Sequence, residues 1–397
     1  MLPHTALALG GESAHRCESR SLFLDRFADP QATDKSVPKR KDWFNALIAK
    51  KPAPHCPSQD WLPPSAVCVD ARLMSRLMVN MGGGAMENAS LLLDRYGMPI
   101  IPGSAVKASA RRMALHSLHQ WATTGNQSAS DDSLPDVYAG FNTPQEMFAA
   151  ICQVFGWVER DWKNGKNDGL FRSDLGWACG ESHVETWINA CVLLSARFGW
   201  KVSGTTPWKQ LPDYAGAIAF LPGRPNADPG LELDVLTVHH KAYYESTNSK
   251  AEATDTEHPV PVYFPVVKSQ EGTGNYFSFP ILELRRGSTD LLDRARVWLT
   301  AGLQCFGIGA KTNAGYGWFA GSDDLNQKIS EERRNRIRLK ELETEHAGFA
   351  TWDDSRKIDA ILRLADQKDD CKLWQHLAPQ TFAPILAYAQ SQDLTML

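Results

Sequence analysis

No two cysteines stand in a C-x-x-C pair in this chain. The eight thiols (17, 56, 68, 152, 179, 191, 305 and 371) follow no regular spacing. A zinc ribbon or a disulfide framework is therefore not expected, and reduced thiols of a cytoplasmic protein are the default. No stretch of 18 apolar residues occurs, so nothing predicts a membrane span. A charged segment leading into a long apolar core is missing near residue 1, and no secretory leader is expected. An excess of basic charge is missing too: the formal net charge is −4. Nucleic-acid binding would then rest on a local basic groove rather than on the whole surface.

Two nucleotide-binding spellings also fail. An ATP-binding P-loop needs a glycine just before its lysine and another five residues earlier. Around Lys311 those places hold Ala310 and Cys305. A dinucleotide fingerprint G-x-G-x-x-G would need glycine at Thr312.

What the chain does have is ample apolar material, 43% of 397 residues, including 13 tryptophans expected mainly as core or interface anchors. It also has the segment Gly307-Ile308-Gly309-Ala310-Lys311-Thr312-Asn313-Ala314-Gly315-Tyr316-Gly317. This run lies between an expected amphipathic helix (about 290–304) and a short expected strand (318–320). Glycine permits positive φ and close approach, and successive amides can cradle phosphate oxygens. Lys311 adds a point charge, and Tyr316 either stacks on a base or packs the loop. The plain alternative is a glycine-rich turn that only joins helix to strand.

A second segment runs Gly97-Met98-Pro99-Ile100-Ile101-Pro102-Gly103-Ser104-Ala105-Val106-Lys107 and on to Arg111-Arg112. Pro102 and Gly103 end an extended run, Ser104 is the expected N-cap, and a helix follows. Lys107 and Arg111, four apart, share a face that carries no acid. That face is either solvated or, at a helix start, suited to phosphate.

Together these residues resemble the RAMP superfamily of CRISPR proteins. Residues 97–111 are similar to its G-x-P-x-IPGSSLKG-x-R signature, and 307–319 to its C-terminal glycine-rich loop. A third stretch joins 216–222, 231–244 (with Asp234, His239, His240, Tyr243 and Tyr244) and 259–267. It resembles the Cmr-type (type III-B) subunit-six branch of the superfamily. The order of the three signatures over about 87–320 makes the combination specific. Ala108 departs from the signature glycine, a change that favours helix by up to about 1 kcal/mol.

The predicted strands are 67–80, 217–221, 231–238, 262–267 and 277–284; 67–80 also suits a helix in its middle. With the two helices they read as an α+β βαββαβ unit with insertions. The resemblance implies the same ferredoxin-like or RRM-like core. A proline-rich extension (1–65) is expected to be irregular, with one short helix near 43–50 and a basic patch Lys39-Arg40-Lys41. A domain over 66–322 would carry a helical insertion at about 125–212, and a helical appendage would occupy 323–397.

The resemblance implies a non-catalytic RNA-binding and assembly subunit of a guide-RNA effector complex in antiviral defence. It would cap the backbone near the 3′ end of the guide. Its partners would be the guide RNA, a neighbouring backbone RAMP subunit and the small subunit, with target RNA met indirectly. The RNA-binding residues expected are Ser104, Lys107, Arg111, Gly307, Gly309, Lys311, Thr312, Gly315, Tyr316 and Gly317. His239, His240 and Tyr243 are expected as RNA contacts or structural residues.

The alternative is a metal-independent endoribonuclease that processes the guide, with His239 or His240 as general acid or base. No Ser/His/Asp or Cys/His arrangement emerges from the spacing, and neither cofactor nor metal is expected. His183 with Glu185 falls short of a metal site, and Asp94 reads as a turn residue. A purely protein-binding scaffold is the remaining alternative.

Overall fold

The computed structural model describes residues 17–27, 38–53, 62–63, 65–79, 91–127, 134–162, 173–180, 184–204, 210–238, 240, 243, 246–247, 260–269, 276–285, 287–321, 323–392 and 394. The chain forms two units, Met1–Ser322 and Asp323–Leu397.

The first unit is built around an antiparallel sheet. Its strands are β1 (Val67–Leu73), β2 (Ile218–Phe220), β3 (Arg224–Pro225), then β6 (Phe277–Glu283) and β7 (Phe319–Ala320), with a hairpin of β4 (Leu231–Val238) and β5 (Val260–Val267) between β3 and β6. The sheet order is β2-β6-β1-β7, and β3 also pairs with β6. β1 meets β6 in the register Val67 to Ile281 through Ala71 to Phe277. Alternation explains the sheet: Val69 and Ala71 on β1 and Phe277, Phe279 and Ile281 on β6 turn inward and are buried. The β4–β5 hairpin pairs from Leu231 opposite Val267 to Val238 opposite Val260. Leu77 bridges to Val267, so the chain after β1 leaves the main sheet and joins the hairpin.

Two long helices follow strands. Helix α3 (Gly103–Thr124) comes after β1, and α7 (Thr289–Cys305) comes after β6; the two pack against each other. Val106, Ala110, Met113 and Ala114 of α3 and Ala295, Trp298, Leu299 and Leu303 of α7 are buried in one core. Between α3 and β2 lie α4 (Pro144–Phe155), α5 (Asp174–Cys179) and α6 (Val184–Phe198). Thr143 caps α4 through its side chain, and Pro144 opens it. Cys152, Cys179 and Cys191, one on each of these helices, are buried and free of disulfides.

The N-terminal region departs from expectation. It holds not one helix but two, α1 (Arg20–Asp25) and α2 (Pro38–Ala49), and Phe23, Trp43, Phe44 and Leu47 are buried in the main core. Arg20 explains the docking. It is 1% exposed, and its guanidinium donates to the carbonyls of Lys50 and Gly97 and, through two nitrogens at 3.1 Å, to Asp228. Arg40 of the basic patch is also fully buried, donating to the Tyr263 carbonyl at 2.9 Å and lying over the Phe44 ring. The charge of that residue serves the fold.

The second unit is helical: α8 (Asp323–Glu345), α9 (Asp354–Asp366), α10 (Lys368–Leu377) and α11 (Pro379–Ser391). Leu342, Ile361, Leu364, Trp374, Phe382 and Ile385 form its own core. Arg338 of α8 reaches Asp370 of α10 at 2.7 Å. The Trp374 indole donates to Thr381, whose hydroxyl reaches Glu343.

Candidate nucleic-acid interface

The glycine-rich segment is folded tightly against the chain's own backbone. The amide of Gly317 donates to the Arg76 carbonyl at 2.7 Å and that of Ala310 to the Met78 carbonyl at 2.8 Å. The amide of Ile308 donates to Gly317, and those of Ala314, Gly315 and Tyr316 donate within the loop. Most glycines here are thus needed for intramolecular approach, not for an incoming molecule. A Cβ on Gly309 (φ 102°) would lie 2.3 Å from the Met78 carbonyl oxygen, and one on Gly317 (φ 70°) would lie 2.0 Å from that of Ile308. Gly307 meets the Gly317 carbonyl in the same way, whereas Gly315 faces open space.

The expectation that the whole run of amides is available is therefore corrected to a shorter set. Among the described residues, the amides of Gly307, Gly309, Lys311, Thr312 and Asn313 donate to no protein acceptor, and only the last three are consecutive. Lys311 is left-handed (φ 57°, ψ 35°) and opens a short 3₁₀ turn, Thr312–Ala314. Successive amides after such a residue form a concavity suited to an anion. The Lys311 ammonium lies 6.0 Å from the Phe264 ring centre. The Thr312 carbonyl accepts from the Trp318 indole at 3.0 Å.

Tyr316 packs the loop. Its ring joins Met78, Phe264, Val266, Leu236 and Ala310 in a small apolar cluster. Its hydroxyl donates to Asp234, which also accepts from Arg76 at 3.0 Å; Arg76 bonds Glu232 as well. Burial first, then the Asp234 bond and charge, push the phenol up to about 12.

Helix α3 meets this loop in its second turn. The Ser109 hydroxyl donates to the Gly307 carbonyl at 3.4 Å, and Gly302 of α7 lies against the Ser109 backbone. The signature of the helix start and the glycine loop, 198 residues apart, therefore meet. Ser104 is exposed in the first turn but is not the N-cap; that position belongs to Pro102, without a side-chain cap bond. The Lys107–Arg111 face is corrected too. It does meet an acid: Asp174 of α5 pairs with Arg111 at 2.6 Å, an acid 63 residues downstream. Lys107 is half-buried, and burial, then Arg111, lowers its pKa.

His239 lies outside the described residues, as do His183 and the side chain of Glu185. His240 is left-handed (φ 59°), and Tyr243 is exposed. Asp94 organises its turn: one oxygen accepts from the amides of Tyr96 and Met98, and the other accepts from Arg224 at 2.6 Å. Among the described residues, no group of three or more His, Cys, Asp or Glu side chains is placed to hold a metal ion.

The RAMP superfamily matches residues 72–320, which include the α3 signature, the hairpin and the glycine loop. The chain belongs to that superfamily. This RAMP protein is 26% identical over 261 residues, 62% of its length, to CRISPR system Cmr subunit Cmr6 of Pyrococcus furiosus, and spans 65% of that relative's length. The crystal structure of Cmr6 from Pyrococcus furiosus aligns at 22% identity over 65% of this chain and 98% of its own, with a TM-score of 0.30. The cryo-EM structure of the type III-B Cmr-beta bound to cognate target RNA aligns at 15% identity over 77% of this chain and 70% of its own, with a TM-score of 0.32. Among the described residues no helix is long and apolar enough to cross a membrane.

Arg112, His116 and His119 escaped the sequence reading. They occupy the face of α3 that the fold leaves open, next to Phe306 and Trp177. Their spacing of four and three residues was visible, but not which face α5 and α7 would cover.

Proposed function

We propose that this RAMP protein is a non-catalytic RNA-binding and assembly subunit of a type III-B CRISPR effector complex. It caps the backbone near the 3′ end of the guide RNA in antiviral defence. The neighbouring backbone RAMP subunit and the small subunit are its protein partners, and target RNA is met through them. The observation that carries this reading is the glycine loop, with Lys311 and the unpartnered amides of 311–313, bonded at Gly307 to Ser109 in the second turn of α3. Amides and cations grip phosphates without reading bases, which fixes register on a guide of any sequence. Family membership and the similarity to Cmr6 support the same assignment.

We read β1-α3-β2-β6-α7-β7 as the ferredoxin-like βαββαβ core, with α4–α6 and β3–β5 inserted. The order β2-β6-β1-β7 and the antiparallel pairing of every neighbour support it.

The test is equilibrium binding of labelled guide-type RNA across a salt series. Changing Lys107 and Lys311 together to Ala should weaken binding and reduce the salt slope by about one to two units. Unchanged affinity and slope would leave a protein-binding scaffold instead. Repeat RNA cut specifically by wild type but not by His239→Ala or His240→Ala would convert the assignment to a processing nuclease.

A further inference from the structure

Helix α3 shows three faces, and their different surroundings define a second site. One face, with Ala110, Met113 and Ala114, is buried in the core beside α7. A second carries Lys107 and Arg111 and is flanked by α5, where Asp174 takes Arg111. The third is open. It presents Arg112 and His116, both exposed, and His119, half-buried. These residues are four and three apart, so they line one stripe about 10 Å long.

Aromatic rings sit along this stripe. Trp177 of α5 is 46% exposed, although it is the side chain with most to gain from burial. One indole face is stacked on the His119 ring, 4.1 Å between centres and 15° between planes. His119 Nδ1 lies 2.8 Å from the Trp177 carbonyl oxygen, which holds the pair together. At the other end, Phe306 meets His116 edge-on at 5.5 Å, and the Arg112 guanidinium lies 4.3 Å from the Phe306 ring centre. Phe306 directly precedes Gly307, whose carbonyl is bonded to Ser109. The stripe therefore begins where the glycine loop begins.

The charge on the stripe is of one sign. Burial first, then the neighbouring His119 and Arg112, lower the pKa of His116. Asp174 of α5, an acid beside this helix, already faces Arg111. Basic groups clustered at a surface resist taking up charge until an anion joins them. In a chain of net charge −4 this concentration is local.

Resting on the RNA-binding reading above, we propose that Arg112, His116, His119, Phe306 and Trp177 form a second platform for single-stranded RNA, contiguous with the glycine loop. Bases stack on the open side of the Trp177 indole. Arg112 and His116 take the phosphates that follow. An aromatic ring already fixed against His119 loses little freedom when a base settles on it, which favours binding. Interleaved aromatic and basic groups suit a single strand rather than a duplex, whose bases are already stacked. An apolar protein surface would leave the Arg112 guanidinium and the imidazole nitrogens unmatched, so RNA is the occupant the chemistry favours.

The experiment uses the full chain and fluorescence anisotropy with labelled single-stranded RNA at several salt concentrations. Trp177→Ala should weaken binding about five- to a hundred-fold with the salt slope unchanged, because stacking carries no charge. Trp177→Phe keeps a flat ring and should stay within about threefold of wild type. Arg112→Ala should lower the slope by about 0.7. Circular dichroism melting of each variant shows whether the fold is intact, and an unfolding Trp177→Ala leaves the Arg112 variant to decide.

If the Lys107/Lys311 double variant loses affinity while the Trp177 and Arg112 variants bind as wild type, the platform is refuted and the RNA-binding reading stands. In that case the exposed indole belongs to a protein neighbour. If wild type itself binds no RNA, both fall together.

Discussion

The phenol of Tyr316 donates a 2.7 Å hydrogen bond to Asp234, joining the glycine loop to strand β4. Asp234 also holds Arg76, so three segments far apart in sequence share one carboxylate. Replacing Tyr316 with Phe keeps the ring in its apolar cluster and removes only the bond. The expected loss is about 1 kcal/mol of unfolding free energy, read from urea melts. The same bond gives an alkaline signature. The folded phenol is raised to about 12 from an ordinary 10, so its contribution is complete below pH 10 and is lost as pH rises through 12. A pH series of melts should show wild type losing its advantage over Tyr316→Phe across that window.

The glycines of the loop should not be equivalent. Alanine at Gly317 places a methyl against the Ile308 carbonyl and forces a left-handed φ. Destabilisation of about 3 kcal/mol or more is expected, because backbone on both sides has to move. Alanine at Gly315 meets open space and has only the φ of 90° to bear. There the expected cost is about 1 kcal/mol. Thermal melting of the two single variants compares them directly. Equal losses would contradict the packed-loop geometry.

Much of the secondary structure was legible, and the reasons are local. The β4 strand, Leu231–Val238, has the expected bounds, β6 stops one residue short of expectation, and α7 is one residue longer at each end. Alternation and helical periodicity are strong there, and Gly and Pro punctuate the ends. What was illegible depends on distant partners. Gly309 and Gly317 read as openings for a ligand because the carbonyls they abut, Met78 and Ile308, become neighbours only in the fold. Arg111 read as unpaired because Asp174 arrives on another helix. The six-residue α1 has little periodicity, and its anchor is a buried arginine, which composition would place at the surface. The open Arg112–His116–His119 face was not legible either, because it is defined by what α5 and α7 leave uncovered.

Arg20 is the clearest test of how the N-terminal helices are held. Its guanidinium is buried and serves two carbonyls and Asp228, itself largely enclosed. Arg20→Ala leaves both carbonyls without this donor and Asp228 with only the Gly230 amide. A loss of about 3–5 kcal/mol is expected, measured by chemical denaturation. Arg20→Lys should recover only part, since one ammonium cannot reproduce the planar fork. If Arg20→Ala melts like wild type, α1 is not anchored through this residue.

His116 offers a proton-linked test of the α3 platform. Its neighbours are Arg112 and His119 on its own helix, Trp177 from α5 and Phe306 at the end of α7. The first two are basic and the other two uncharged, so in the free protein the imidazolium is disfavoured and its pKa lies below the ordinary 6.5. A phosphate arriving beside it reverses that balance and raises the pKa. Binding then takes up a proton, and affinity for single-stranded RNA must rise as pH falls. Between pH 7.5 and 5.5 the gain should be about three- to ten-fold, tenfold being the effect of a one-unit shift. His116→Gln keeps polarity without titration and should flatten this dependence. Folding runs the other way. A lowered histidine pKa makes protonation unfavourable in the native state, so wild type without RNA loses stability as pH falls below 6.5, and His116→Gln is spared that loss. Binding that tightens equally in both proteins would assign the proton to another group and remove His116 from the platform.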